Sequence, residues 1–245
     1  YQTAYLKYYY PVEFMAALLT SVIDNASKVS EYIMVCKSMN IQILPPDINE
    51  GECGFSVSNG AIRYALNAIK SVGRTVIEGI VAERNAHGNF QNLKDFIERT
   101  QNVEMNKRAI ENFIKAGAFD SFGATRKQHM SVYAMILDSV VHSKRGVTAG
   151  QMSLFDIVSE EDKKELEIKM PDVGEYEKEL LLSFEKEVLG FYISGHPMQE
   201  YQSVWERRIT AKTSDFYLDE ETGLTHVQDN TKATIGGMIM DKKIK

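Results

Sequence analysis

The stretch Leu66-Asn-Ala-Ile-Lys-Ser-Val-Gly-Arg-Thr-Val-Ile-Glu-Gly-Ile-Val81 decides how this chain is read. A short apolar run, Leu66 to Ile69, meets Ser71-Val72-Gly73, and a second apolar helical pattern starts at once. Small residues let a backbone approach the turn closely, and Val72 is placed to plug it into a core. A helix beginning there offers unpaired N–H groups and the positive end of its dipole, which together suit a phosphate oxygen. Lys70 and Arg74 flank the turn with positive charge. Contacts of this type grip a nucleic-acid backbone and do not read bases. A glycine is the natural first turn residue, and if that position needs a positive φ, Ser71 is strained there.

Working outward, Ala109-Ile-Glu-Asn-Phe-Ile-Lys-Ala-Gly-Ala-Phe-Asp120 repeats the pattern. Ala116-Gly117-Ala118 form its turn, with Lys115 beside it and Arg126 and Lys127 opening the next helical run. The plainer reading is a pair of ordinary αα corners closed by glycine. Charge favours the sharper one. From Gly60 to Arg145 there are 13 Lys+Arg against 8 Asp+Glu, whereas Asp156 to Gly190 has 5 against 12. A basic helical block followed by an acidic connector fits a surface that meets a polyanion. The expected contacts to duplex DNA are Lys70, Ser71, Val72, Gly73, Arg74, Lys115, Ala116, Gly117, Ala118, Arg126 and Lys127.

The rest reads as mainly α. Pro11 opens a helix to about Ile23 with Phe14, Leu18 and Val22 as its stripe. Ser27 is placed to cap a second helix with stripe Val29, Ile33, Cys36. Phe55-Ser-Val57, Asn59-Gly60 and Ile62-Arg-Tyr64 predict a β-hairpin. Helices are predicted at about Thr75–Arg84, Leu93–Glu98, Lys107–Ala116 and Arg126–Val141, with Asn106 and Thr125 capping the last two. Lys144 to Gly150 reads as a loop. Tyr176, Leu180, Leu181, Phe184 and Val188 outline a long amphipathic helix, and a short one follows Pro197. After Ile209 the pattern turns to strands, ending at about Met240.

Gln151-Met-Ser-Leu-Phe155 is an apolar pentapeptide between that loop and the acidic run. It reads as a linear docking motif. Gln151 would fix the register, and Met152, Leu154 and Phe155 would fill an apolar pocket. The alternative is packing onto its own domain.

Composition bounds the function. The 245 residues carry 28 Lys+Arg and 34 Asp+Glu, a net charge of −6, with 44% hydrophobic and 25% charged residues. That composition is ordinary for a folded protein. No run approaches the roughly 20 apolar residues of a membrane span. Cys36 and Cys53 are too few for a disulfide framework, and a reducing, cytoplasmic setting fits. There is no phosphate-binding Gly-Lys-Ser/Thr loop, no dinucleotide fingerprint, no nucleophile elbow and no Asp-x-Asp pair. His87, His129, His142, His196 and His226 lack ligand spacing, and His196 in Gly195-His-Pro197 reads as a turn residue. Cys36 reads as core. Tyr1, Tyr5, Tyr8, Tyr9 and Tyr10 could stack on bases, but helix packing is the commoner use of such residues.

Several strings together are similar to one family. Tyr1-Gln-Thr-Ala-Tyr-Leu-Lys7, Tyr10-Pro-Val-Glu-Phe-Met-Ala-Ala-Leu-Leu-Thr20 and Ile43-Leu-Pro-Pro-Asp-Ile-Asn49 resemble the fingers of the bacterial DNA polymerase III alpha subunits, the C-family replicases. Ala68-Ile-Lys-Ser-Val-Gly73 and Lys115-Ala-Gly-Ala-Phe-Asp-Ser-Phe-Gly123 resemble its helix-hairpin-helix module. Gln151–Phe155 is similar to its sliding-clamp motif, and Glu187-Val-Leu-Gly-Phe-Tyr-Ile-Ser-Gly-His-Pro-Met198 to a family signature that follows.

The resemblance implies an excised piece of a longer DNA-directed DNA polymerase. Residues 1–50 would end the fingers, 51–145 form the tandem helix-hairpin-helix module, and 146–172 hold the clamp motif and acidic connector. Residues 173–210 would be a helical connector and 211–245 the truncated start of an OB-like β domain. The palm carboxylates and the Mg2+ they hold would lie outside the chain, so the piece would be inactive alone. Its partners would be primer–template duplex and the sliding clamp (beta subunit), with other replicase subunits reached through parts outside it and no membrane. A DNA-repair or recombination scaffold with hairpin modules, and a free-standing enzyme using His129 or His196, are the rival expectations. The fingers-like strings weigh against the first, and the lack of a catalytic constellation against the second.

Overall fold

The structure is a computed structural model and describes residues 1–103, 105–148, 170–218 and 225–237. The chain is mainly α-helical, with one small sheet. It divides into two units, Tyr1–Ser194 and Gly195–Lys245. The changes of sequence character near residues 50 and 145 fall inside the first unit, and the division itself comes after Ser194.

The first unit opens with α1 (Gln2–Tyr9), α2 (Pro11–Ser21) and α3 (Ala26–Ser38). Pro11 occupies the first turn of α2, where its missing N–H costs nothing. The core face of α2 is Met15, Ala16 and Leu19, not the predicted Phe14, Leu18 and Val22, which pack half-buried at its edge. Both sets have helical spacing, and neighbours elsewhere in the chain select between them. The cap of α3 is Asn25, which accepts a hydrogen bond from the Lys28 amide at 3.1 Å. Ser27 lies inside the helix, so the predicted cap is two residues late. The stripe Val29, Ile33, Cys36 is buried as expected.

The tyrosines of α1 do not pack into the core, since that helix buries none of its residues. Tyr8 is 78% exposed and Tyr9 60%. The rings of Tyr5 and Tyr9 lie 4.5 Å apart, one helical turn from each other.

The predicted hairpin forms between β2 (Ser56–Ser58) and β3 (Ala61–Arg63), with Val57 opposite Ile62. Asn59 and Gly60 both have positive φ, 50° and 78°, as a two-residue turn of this hand requires. A third strand, β1 (Ile43–Leu44), pairs parallel with β3, giving the order β1-β3-β2. Two residues before Pro45-Pro46 carry no strand signal of their own.

The hairpin block follows. A single 3₁₀ turn, Leu66–Ala68, leads to α4 (Arg74–His87), then α5 (Leu93–Arg99) and α6 (Lys107–Ala116). Asn92 and Asn106 cap α5 and α6 through their side-chain oxygens. The long α7 (Arg126–Thr148) continues through the segment predicted as a loop from Lys144. Thr125 and Gln128 bond reciprocally at its start, a capping box. The rings of Phe90, Phe96, Phe113 and Phe119 pack edge to face with centroids 5.0–6.1 Å apart. Each such pair is worth about 1 kcal/mol beyond its burial.

After the undescribed stretch, α8 (Lys178–Leu189) lies against α6. Its buried face is Leu182, Glu185, Val188 and Leu189. Of the predicted stripe Val188 is buried, but the rest is displaced, with Leu180 exposed and Tyr176 before the helix. Buried Glu185 explains the error, because a carboxylate in the stripe disguises the core face. Its Oε2 accepts the amides of Ile193 and Ser194 at 2.9 and 3.0 Å and so folds the chain back after Gly190.

In the second unit, a 3₁₀ turn (Pro197–Tyr201), α9 (Gln202–Arg208) and another 3₁₀ turn (Thr213–Phe216) follow in order. The Thr210 amide donates to the Thr234 carbonyl at 3.0 Å, and the Thr234 amide to Thr210 Oγ1 at 2.8 Å. No strand forms among the described residues beyond Ile209, so the OB-like start expected there is not formed in them.

Candidate nucleic-acid interface

The first turn stands on the surface. Lys70, Ser71, Gly73, Arg74 and Thr75 are exposed, and Val72 is half-buried against the core. Ser71 adopts φ +61°, the left-handed region that serine enters at a cost of about 1–2 kcal/mol. Gly73 is the N-cap of α4 and brings no side chain to the helix end. The nearby α5, α6 and α7 contrast with it, since side-chain oxygens cover their first amides. The uncovered end of α4, with Lys70 and Arg74 beside it, has the form of an anion site.

The turn is held from behind. The Lys70 amide donates to the Val188 carbonyl at 2.9 Å, and Asn112 Nδ2 donates to the Lys70 carbonyl at 2.7 Å. Tyr64 Oη donates to the Leu189 carbonyl at 3.1 Å. Burial pushes that phenol above its ordinary range, so it stays protonated. Below α4, the buried Arg84 guanidinium bridges the carbonyls of Ile48 and Gly51 and the Glu52 carboxylate.

The second turn faces inward. Ala116 and Ala118 are fully buried, and Gly117 adopts φ +79° as the αL cap of α6. The Ala118 carbonyl accepts the Ile48 amide at 2.9 Å. Arg126 lies over Gly117, where its Nη1 donates to the Lys115 carbonyl at 3.1 Å and its other nitrogens to Asp120 at 2.8–3.2 Å. Burial works against the Arg126 charge, but Asp120, Glu185 and Glu175 outweigh it and raise its pKa. Lys115 pairs with Glu187 at 2.9 Å. Ala116, Gly117, Ala118 and Arg126, expected as phosphate contacts, are thus internal. The sequence signal is the same at both turns, and what separates them is Arg126, which arrives from the next helix.

The start of α7 is also occupied. Glu175 accepts the Arg126 amide at 2.9 Å and the Lys127 amide at 3.2 Å. Lys127 is half-buried, with its ammonium 5.9 Å from the Tyr176 ring centre. Thr125 Oγ1 donates to the Gly174 carbonyl and Gln128 Nε2 to the Pro171 carbonyl. The chain that leaves α7 near Thr148 therefore returns to the opposite end of the same helix. Gln151, Met152, Leu154 and Phe155 lie outside the described residues.

Among the histidines, His196 Nδ1 accepts the Met198 amide at 3.1 Å and caps a turn. His129 is 1% exposed, packed against Phe119 and Phe122. Asn112, Glu175 and exposed Thr75 were not singled out by the sequence. Asn112 is a polar residue on the apolar face of a helix, which is the one mark that could have drawn notice.

A helix-hairpin-helix motif profile matches residues 40–129, which span both turns. The DNA polymerase III subunit alpha of Saccharopolyspora erythraea is 36% identical over 243 residues, covering 98% of this chain. That of Borreliella burgdorferi is 41% identical over 202 residues, covering 82% of it. The chain is homologous to a stretch of the DNA polymerase III alpha subunit. The Deinococcus radiodurans alpha subunit is 37% identical over 243 residues, again 98% of this chain. The chain spans about a fifth of the length of these alpha subunits, 18–20%. No described helix is long and apolar enough to cross a membrane.

Proposed function

We propose that this chain is the part of a replicative DNA polymerase that grips the product duplex behind the active site and ties the enzyme to its sliding clamp. The observation that carries the first half is the exposed turn at Lys70–Thr75, with an uncapped helix start and two flanking cations. Phosphate oxygens would accept from the turn amides, and Lys70 and Arg74 would neutralise the same strand. Lys115 and Lys127 are secondary candidates, each with a local partner to give up.

The net charge of −6 limits the grip to a few phosphates, so salt dependence is modest. Tethering is assigned to Gln151, Met152, Leu154 and Phe155, on motif and position alone. Template-directed synthesis, with Mg2+, belongs to the whole polymerase. No three metal-ligating side chains converge among the described residues, and no chemical step is assigned to this chain.

The test is titration of labelled duplex with wild type, Lys70→Glu and Arg74→Glu. Each change should weaken binding, and replacement by a neutral residue should lower the salt slope by about one. Equal affinity in all three would overturn the reading. Clamp binding is checked by calorimetry beside a Leu154→Ala/Phe155→Ala variant. Retained binding in that variant, or none in wild type, would remove the tethering role.

A further inference from the structure

The backbone of Lys70 is held at both of its polar groups. Its amide donates to the Val188 carbonyl of α8, and its carbonyl accepts from Asn112 Nδ2 of α6. The next torsion in the chain is the φ of Ser71, at +61°. A non-glycine residue holds such a torsion only where its surroundings over-determine it. Fixing the Lys70 carbonyl on one side, and packing half-buried Val72 against the core on the other, does that. Asn112 is 6% exposed, in a helix whose other buried residues are Ala109, Ile110, Phe113, Ile114 and Ala116. A lone amide there is costly unless its hydrogen bonds are made, and it spends one of them on a turn distant in sequence.

We propose that Asn112 is a positioning residue for the phosphate-binding turn, acting through the Lys70 carbonyl to hold Ser71 left-handed so that the start of α4 faces the duplex. The inference rests on the duplex-binding reading above and adds a residue that touches no DNA. It also gives the second hairpin a role. Its own turn is buried, and its first helix supports the turn of the other.

The experiment is fluorescence anisotropy of a short labelled duplex with the whole chain as Asn112→Leu, Asn112→Ala, Ser71→Gly and the doubles. Asn112→Ala leaves room for a water to satisfy the Lys70 carbonyl, which protects folding if the leucine variant is too disruptive. Circular dichroism melts confirm that each variant is folded. Either single change at Asn112 should raise Kd about tenfold. Ser71→Gly should restore most of that loss, because glycine takes a positive φ without being held. Among variants shown to be folded, a purely structural asparagine would leave no binding loss for Ser71→Gly to restore. Folded Asn112 variants that bind like wild type, or a loss that Ser71→Gly leaves in place, would overturn the proposal. If Arg74→Glu leaves affinity unchanged, the duplex reading itself fails, whatever Asn112 does.

Discussion

Arg126 Nη1 and Glu185 Oε1 face each other at 3.6 Å beneath the second turn, with side chains 9% and 1% exposed. The pair joins the start of α7 to the middle of α8, and Asp120 and the Lys115 carbonyl complete the arginine's contacts. Removing one partner of a buried pair leaves the other uncompensated. Arg126→Met should therefore cost about 3–5 kcal/mol in urea unfolding. A loss under 1 kcal/mol would mean that the pair is solvated and the second turn open.

Gly117 sits under the same guanidinium. A Cβ there would collide with Arg126 and with Asp120 Oδ2, and the φ of +79° is unfavourable for alanine in any case. Gly117→Ala should cost at least about 2 kcal/mol, combining strain with displacement of the arginine. Arg126→Met/Gly117→Ala should cost less than the sum of the single changes, which a double-mutant cycle in urea measures.

Ser71→Gly should behave in the opposite way. It relieves a left-handed serine but adds freedom to the unfolded chain, so the net gain is about 0.5–1 kcal/mol. Duplex affinity should stay within about twofold, since the turn amides keep their places. A destabilised variant would show that the serine hydroxyl, and not the backbone, matters at this position.

The contrast between positions 71 and 117 shows what could be read from the chain alone. Local chemistry was legible: Asn106 and Gly117 bound α6 at the predicted residues, and Asn59-Gly60 turned the hairpin. Choices that depend on distant partners were not. Met15, Ala16 and Leu19 compete with Phe14, Leu18 and Val22 at the same spacing, and packing decides between them. The two turns carry the same kind of sequence, yet Arg126 and Asp120 close one while Asn112 props the other open to solvent. Glu175 on the start of α7, more than forty residues along the chain, has no local signature at all.

Thiol chemistry reports on the first unit. Burial pushes Cys36 up to about 11, and burial first, then Glu52 and Glu78, raises Cys53 as well. Both thiols are therefore poor nucleophiles near neutral pH. With a disulfide-exchange reagent, half-buried Cys53 should react first and Cys36 only on opening of the α2–α3 core. The Cys36 rate should rise with urea in step with unfolding. Equal, fast labelling of both would contradict the packing of that core.

His129 predicts a pH dependence of stability. Neither imidazole nitrogen makes a well-formed hydrogen bond, and the ring is enclosed by Phe119 and Phe122. Burial is the largest influence and lowers its pKa, while the Phe119 backbone, Asp120 and Glu175 oppose the shift without reversing it. The folded pKa thus lies below the unfolded value of about 6.5. As pH falls through about 6.5 the unfolded chain takes up a proton that the folded chain refuses. The stability contributed by the neutral ring is complete above about pH 7.5 and is lost on acidification until the folded pKa is passed. The slope contributed by this residue cannot exceed about 1.4 kcal/mol per pH unit. His129→Phe should remove that part of the slope between pH 7.5 and 5.5 in urea unfolding and make the protein relatively more stable at the acid end. An unchanged slope in the variant would mean that His129 takes up its proton without loss of the fold, and that the carboxylates of Asp120 and Glu175 dominate the ring after all.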